Sequence, residues 1–218
     1  MVVSNAFVHI TWYEWVVISA LGIFLTSSLI HIIRLVKPSK IPDYAPPAGE
    51  VRPAILYAFT GAMNPSKKES ACLHFPTYIA GIIYHLGTFL SIILFFLIWM
   101  NVAFSIVPLI IITAMLAVSV VCGSGMFYKR IINHNLRSLS NPDDYLSNTL
   151  VTAFQAGTLL ILYIPMVKPA YFLLAAVLLL YFPVGKLKHA IYFFAARFHL
   201  GSFFGWRGIW PPNYKTEH

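Results

Sequence analysis

Five stretches of this chain, 12–36, 76–100, 105–128, 146–164 and 170–190, run on with almost no charge. A helix of about 20 largely apolar residues is what the hydrocarbon core of a bilayer demands. No other feature limits the fold as severely. Composition agrees: 59% of the residues are hydrophobic and 10% are charged, against about 25% charged in an ordinary soluble domain. A water-soluble fold of this size has too little core to hide so much apolar surface. The expected fold is therefore an all-α integral membrane protein with five transmembrane helices. The second and third stretches are separated only by a short break around Asn101, and the fourth and fifth by 165–169, so each pair is expected to form a tight antiparallel hairpin. No Lys or Arg precedes Arg34, which argues against a signal peptide and for an uncleaved first span.

Charge sets the expected orientation. The net charge is +8, and in a membrane protein such an excess reports sidedness before it reports nucleic acid. Connection 37–75 with Arg34, connection 129–145 and the segment from Lys186 onward hold 14 of the 15 basic residues, leaving Lys168 alone on the other face. The positive-inside rule then places the N-terminus outside and the C-terminus in the cytoplasm. Trp12, Trp15 and Trp99 suit an outer aromatic belt, and Trp206 and Trp210 an inner one. The whole chain, 1–218, reads as one transmembrane domain. Its cytoplasmic parts are the connections 37–75 and 129–145 and a tail over 191–218, whose run 203–212 suits interfacial anchoring or docking of a partner. Pro38, Pro42, Pro46, Pro47 and Pro53 make the first half of 37–75 extended rather than helical.

The sequence carries no internal repeat, Gly-rich phosphate loop, CxxC pair or Ser/His/Asp grouping. Cys72 and Cys122 are too few for a disulfide framework. Apart from Glu14, near the outer edge, no acidic residue lies inside a span, which counts against a proton-driven transporter. Histidine is the ionisable residue that enters the spans, and its neutral imidazole is also a metal and haem ligand. Of the eight histidines, His9, His199 and His218 lie towards the ends. His134 sits in the basic connection and His74 just before the second span. His31, His85 and His189 remain, all on the cytoplasmic half; His85 lies about 14 Å along its helix from that edge. Gly81 and Gly87 flank it, allowing either close helix packing or room for a flat macrocycle. Each histidine alone reads first as a helix-packing residue, but two histidines on different spans in the same half of the bilayer point towards a bis-histidine haem held between helices.

Four strings add a resemblance. The run 181–189, Tyr-Phe-Pro-Val-Gly-Lys-Leu-Lys-His, resembles the end of the last span in the membrane cytochrome b subunit of respiratory nitrate reductase, where an FPFSKLxH-like string supplies a haem ligand. The stretch Tyr84-His85-Leu86-Gly87 resembles the FHxG-like segment that supplies its partner. Residues 138–145, Ser-Leu-Ser-Asn-Pro-Asp-Asp-Tyr, resemble the STPxDxL-like connection before the fourth span. The Ser39-Lys40-Ile41-Pro42 string and its Pro-rich sequel are similar to the cytochrome b subunits of sulfite-reductase-linked and heterodisulfide-reductase-like complexes.

This resemblance implies that His85 and His189 are axial ligands of one haem b, with His31 and His74 as rival ligands. Gly81, Gly87, Arg34, Lys129 and Arg130 become candidate haem surroundings, the three basic residues facing the propionates. Dihaem relatives carry an outer ligand pair ten residues after the first ligand and eighteen before the last. Those positions are Phe95 and Tyr171 here, so the outer haem is expected to be lost. Ten and eighteen residues rise about 15 and 27 Å, a mismatch that calls for a tilt or a bend at Pro183. The implied function is electron transfer between a membrane quinone and a cytoplasmic iron–sulfur oxidoreductase subunit, in a prokaryotic cytoplasmic membrane. The alternative is a non-redox anchor or transporter whose histidines serve packing.

Overall fold

The computed structural model describes residues 10–36, 44–65 and 74–212. Expectations that rest on His9, Lys37, Lys40, the 39–42 string, Lys67, Lys68, Cys72, Lys215 and His218 lie outside those residues. Among the described residues the chain is helical, with no strand: α1 Trp12–Val36, α2 Val51–Phe59, α3 Phe75–Trp99, α4 Ile106–Ile132, α5 His134–Ser138, α6 Pro142–Ile161, α7 Lys168–Tyr181 and α8 His189–Trp206. Helices α1, α3 and α4 are long and apolar enough to cross a membrane, and the broken pair Pro165–Tyr181 and Lys186–Trp206 qualifies if taken as one span. Three such helices, or four, are present by length and composition.

Helix α6 fills the fourth expected stretch but is not among them. The reason is a polar row along one side: Asp144, Ser147, Asn148, Thr152, Gln155 and Thr158 recur every three or four residues, the helical period. Its start is set by a capping box. Asn141 donates its N–H to the Asp144 carboxylate at 3.0 Å, and Asp144 returns its N–H to the Asn141 side chain at 3.0 Å, satisfying two donors that a helix start leaves open. The fifth stretch is interrupted as its proline suggested. Helix α7 stops at Tyr181, the chain turns through Phe182–Gly185, and a single 3-10 turn over Lys186–Lys188 leads into α8. Pro183 has no N–H to continue the ladder; the Gly185 N–H closes the turn on the Tyr181 carbonyl at 2.8 Å.

The chain divides into two compact units, 1–26 with 79–187 and 27–78 with 188–218. In the first unit, Val17, Ala20, Phe95, Phe154, Tyr171, Phe172, Ala175 and Ala176 are buried together. The Phe172 ring, wholly buried, meets Tyr13, Phe95 and Trp99 at centroid separations of 5.4, 5.2 and 5.9 Å.

In the second unit, α2 lies against α8 through small residues on both helices. Gly201 and Gly205 face Ala54 and its neighbours Ile55 and Val51, a small-residue contact of the kind that lets helix backbones touch. A Cβ added at Gly201 would stand 2.5 Å from the Ile55 Cα, and one at Gly205 2.6 Å from the Ala54 Cβ. The extended segment 44–50 closes the same contact: Trp206 Nε1 donates to the Ala45 carbonyl at 2.7 Å and Ala48 N–H to the Trp206 carbonyl at 2.8 Å. Trp210 packs on Tyr57 and Phe204 at 5.5 and 4.7 Å. Most of the stretch read as a cytoplasmic tail is thus a helix with its own packing partners, and both tryptophans are engaged in that packing.

Candidate functional site

Helix α3 carries the first candidate ligand on its outer side. Tyr84 turns into the first unit, its hydroxyl 2.9 Å from Thr152 Oγ1 and donating to the Asn148 carbonyl at 3.2 Å. His85, one residue on, is exposed. One turn further along the inner side, Gln155 of α6 is fully buried. Its amide donates to Thr88 Oγ1 at 2.8 Å and to the Tyr84 carbonyl at 3.1 Å, and its carbonyl accepts from Ser119 at 2.8 Å. Gly87 makes this possible: a Cβ there would lie 2.0 Å from the Ser119 hydroxyl. The space beside Gly87 is therefore taken by α4, which is the packing use of a small residue. Nothing lies within 4 Å of where a Gly81 side chain would start.

Lys129 is exposed, whereas Arg130 is half-buried and paired with Asp144 at 3.0 Å. Lys186 also donates to the Asp144 carboxylate, so one buried acid ties the end of α4 and the turn after α7 to the start of α6. Tyr181 donates to the neighbouring Asp143 carboxylate. Burial of Asp144 pushes its pKa up, but the Lys186, Asn141 and Arg130 hydrogen bonds outweigh that and hold it at about 2. Hydrogen bonds to the ionised form are the cause.

The second unit holds the other candidates. His189 is the first residue of α8 and is exposed. His31 is half-buried, its Nδ1 3.5 Å from the Tyr192 hydroxyl and its ring 6.1 Å from the Tyr192 ring. His199 donates from Nε2 to the Leu35 carbonyl at 2.8 Å. Arg34 and His74 are exposed. The rival ligand His31 thus has Tyr192 as a local partner, and His199 has the Leu35 carbonyl. His85 belongs to the first unit, and His189, His31 and His74 to the second.

The positions equivalent to the outer ligand pair, Phe95 on α3 and Tyr171 on α7, do meet. Their rings are 5.9 Å apart, Phe154 stacks on Tyr171 at 5.4 Å, and the Tyr171 hydroxyl is 3.0 Å from Thr158 Oγ1. Both are buried, so aromatic side chains and a neutral hydrogen bond fill that level of the first unit. Sequence reasoning passed over Phe154, Phe172 and Gln155, although the polar row on α6 was readable from its helical spacing.

No group of three or more His, Cys, Asp or Glu side chains able to hold a bare metal ion occurs among the described residues. A haem supplies its own equatorial nitrogens and asks the protein only for axial ligands. His85 and His189 are both exposed, the one in the first unit and the other in the second. A scan of family models, a search of curated proteins and a search of solved structures each found no match to this chain.

Proposed function

We propose that this protein is a membrane cytochrome b: five spans, N-terminus outside and C-terminus cytoplasmic, with one haem b ligated by His85 and His189. It passes electrons between a membrane quinone and a cytoplasmic iron–sulfur subunit in a prokaryotic cytoplasmic membrane. The observation that carries the reading is the meeting of residues 95 and 171. The resemblance singles out those two positions as opposed ligand sites, and the side chains found there pack against each other in the buried aromatic cluster. The break at Pro183 adds support, since it interrupts the straight helix that made the ten- and eighteen-residue spacings incompatible.

A haem with two axial imidazoles has no open position for oxygen or substrate, so the chemistry it supplies is one-electron transfer. The residues around it do the rest. His85 and His189 would hold the haem iron through their imidazole nitrogens. Lys129 and Arg34 are exposed cations suited to propionates, while Arg130 gives its charge to Asp144. The test is a reduced-minus-oxidised absorption spectrum of membranes containing the protein. His85→Ala and His189→Ala are each expected to abolish the haem bands, with His31→Ala and His199→Ala retaining them. Native spectra in either ligand variant would overturn the assignment.

The filling of Gly87 by Ser119 favours a second reading, a non-redox anchor or transporter with packing histidines. Wild-type membranes without a reducible haem band would establish it over the first.

A further inference from the structure

Inside the first unit, α1, α3, α6 and α7 enclose a cavity of about 180 Å³. Every side chain lining it is apolar; Val17, Phe24, Phe95, Phe154, Ala175 and Phe182 form much of the wall. Its floor is closed, with Val17, Phe95, Phe154 and Ala175 all buried. Its mouth is not, because the lining residues Ile92 and Phe96 are 41% and 43% exposed. The cavity is therefore a cleft that is enclosed for most of its lining and reaches the surface beside Ile92 and Phe96.

Water does not suit it. A buried water needs two to four polar partners, and apolar cavities of about 150 Å³ stay dry and take up apolar guests instead. An empty void of this size leaves its lining atoms without neighbours, a costly arrangement. Two of the walls, α1 and α3, are long and apolar enough to cross a membrane, and in a bilayer a cleft between such helices faces lipid hydrocarbon. A polar headgroup finds no donor or acceptor in the lining and has to stay outside.

We infer that this cleft takes up the end of a hydrocarbon chain belonging to a bilayer amphiphile, either a phospholipid acyl chain or the isoprenoid tail of a quinone. The inference is independent of the haem and stands if the protein carries none.

The test uses the full chain in phosphatidylcholine vesicles containing a phosphatidylcholine spin-labelled near the end of its acyl chain. Electron paramagnetic resonance then reads the motionally restricted fraction. Ala175→Leu fills the floor, and Phe96→Trp narrows the mouth at an exposed position where folding tolerates it. Each is expected to remove one restricted label per chain. A restricted fraction unchanged in Phe96→Trp, or in a folded Ala175→Leu protein, overturns the inference. Competition identifies the source. Displacement of the wild-type restricted label by a long-tailed quinone, but not by its tail-less analogue, assigns the cleft to the isoprenoid; displacement by neither assigns it to the acyl chain.

Discussion

The two units are held together by opposite devices. The first interlocks large rings: Phe95, Phe154, Tyr171 and Phe172 fill one another's space, and Thr152 and Gln155 of α6 are bonded across to α3 and α4. The second depends on what is missing. Gly201 and Gly205 let α8 approach α2 to backbone distance, and aromatic rings only edge the contact. The difference teaches where each unit is vulnerable. Removing rings should damage the first most, and adding atoms along the α2–α8 contact should damage the second most.

The largest effect is expected from Phe172→Ala, which empties a fully buried position. A loss of about 3–5 kcal/mol is typical for such a truncation, and a lower midpoint in a denaturant titration followed by circular dichroism would record it. Next comes Gly205→Leu in the second unit. Overpacking costs about 1–3 kcal/mol, and with Val51 and Ala54 already at contact the expected readout is protease cleavage in 51–65 while 79–187 remains intact. Cleavage in both regions alike would erase the contrast between the units. Gly81→Ala, with open space around it, is the matched control and should leave the digestion pattern unchanged.

The smallest effect concerns Asp144. Its folded pKa of about 2 lies below that of the unfolded chain, about 3.9. A depressed carboxylate contributes stability that is fully present above the unfolded value and is lost as pH falls through the folded one. Stability of the 79–187 region should therefore drop between about pH 4 and about pH 2. Asp144→Asn, which keeps the shape but not the charge, should lack that drop. An equal decline in the variant would assign the acid sensitivity to other groups.

Much of this was legible in the residues. Long apolar runs announced α1, α3 and α4 because a span needs nothing else, and Pro183 announced the end of α7 because it cannot donate to the ladder. Phe95 and Tyr171 were legible as a pair only through the resemblance. The second unit was not legible. Helix α2 has only nine residues, too short to register as a span, and α8 scatters Arg197 and His199 among its apolar residues, so it shows no periodic face to match with α2. The signal was there in smaller form: Gly201 and Gly205, like Ala54 and Ala58, are four residues apart. Gln155 escaped notice because a buried amide in a hydrophobic stretch looks like a lapse in the pattern until Ser119, Thr88 and the Tyr84 carbonyl are seen around it. Asp144, read as part of a loop string, became a buried anchor once Arg130 and Lys186 converged on it.

The contrast between the units also bears on the proposed cofactor. At the level of Phe95 and Tyr171 the first unit is filled with aromatic side chains, whereas His85 and His189 are exposed imidazoles, one from each unit. The most direct measurement is haem per polypeptide, by pyridine haemochrome assay against quantitative amino-acid analysis of the purified full-length chain. One haem b per chain, lost with either His85→Ala or His189→Ala, is the expected result. Two haems would contradict the loss of the outer site, and none would contradict the cytochrome itself.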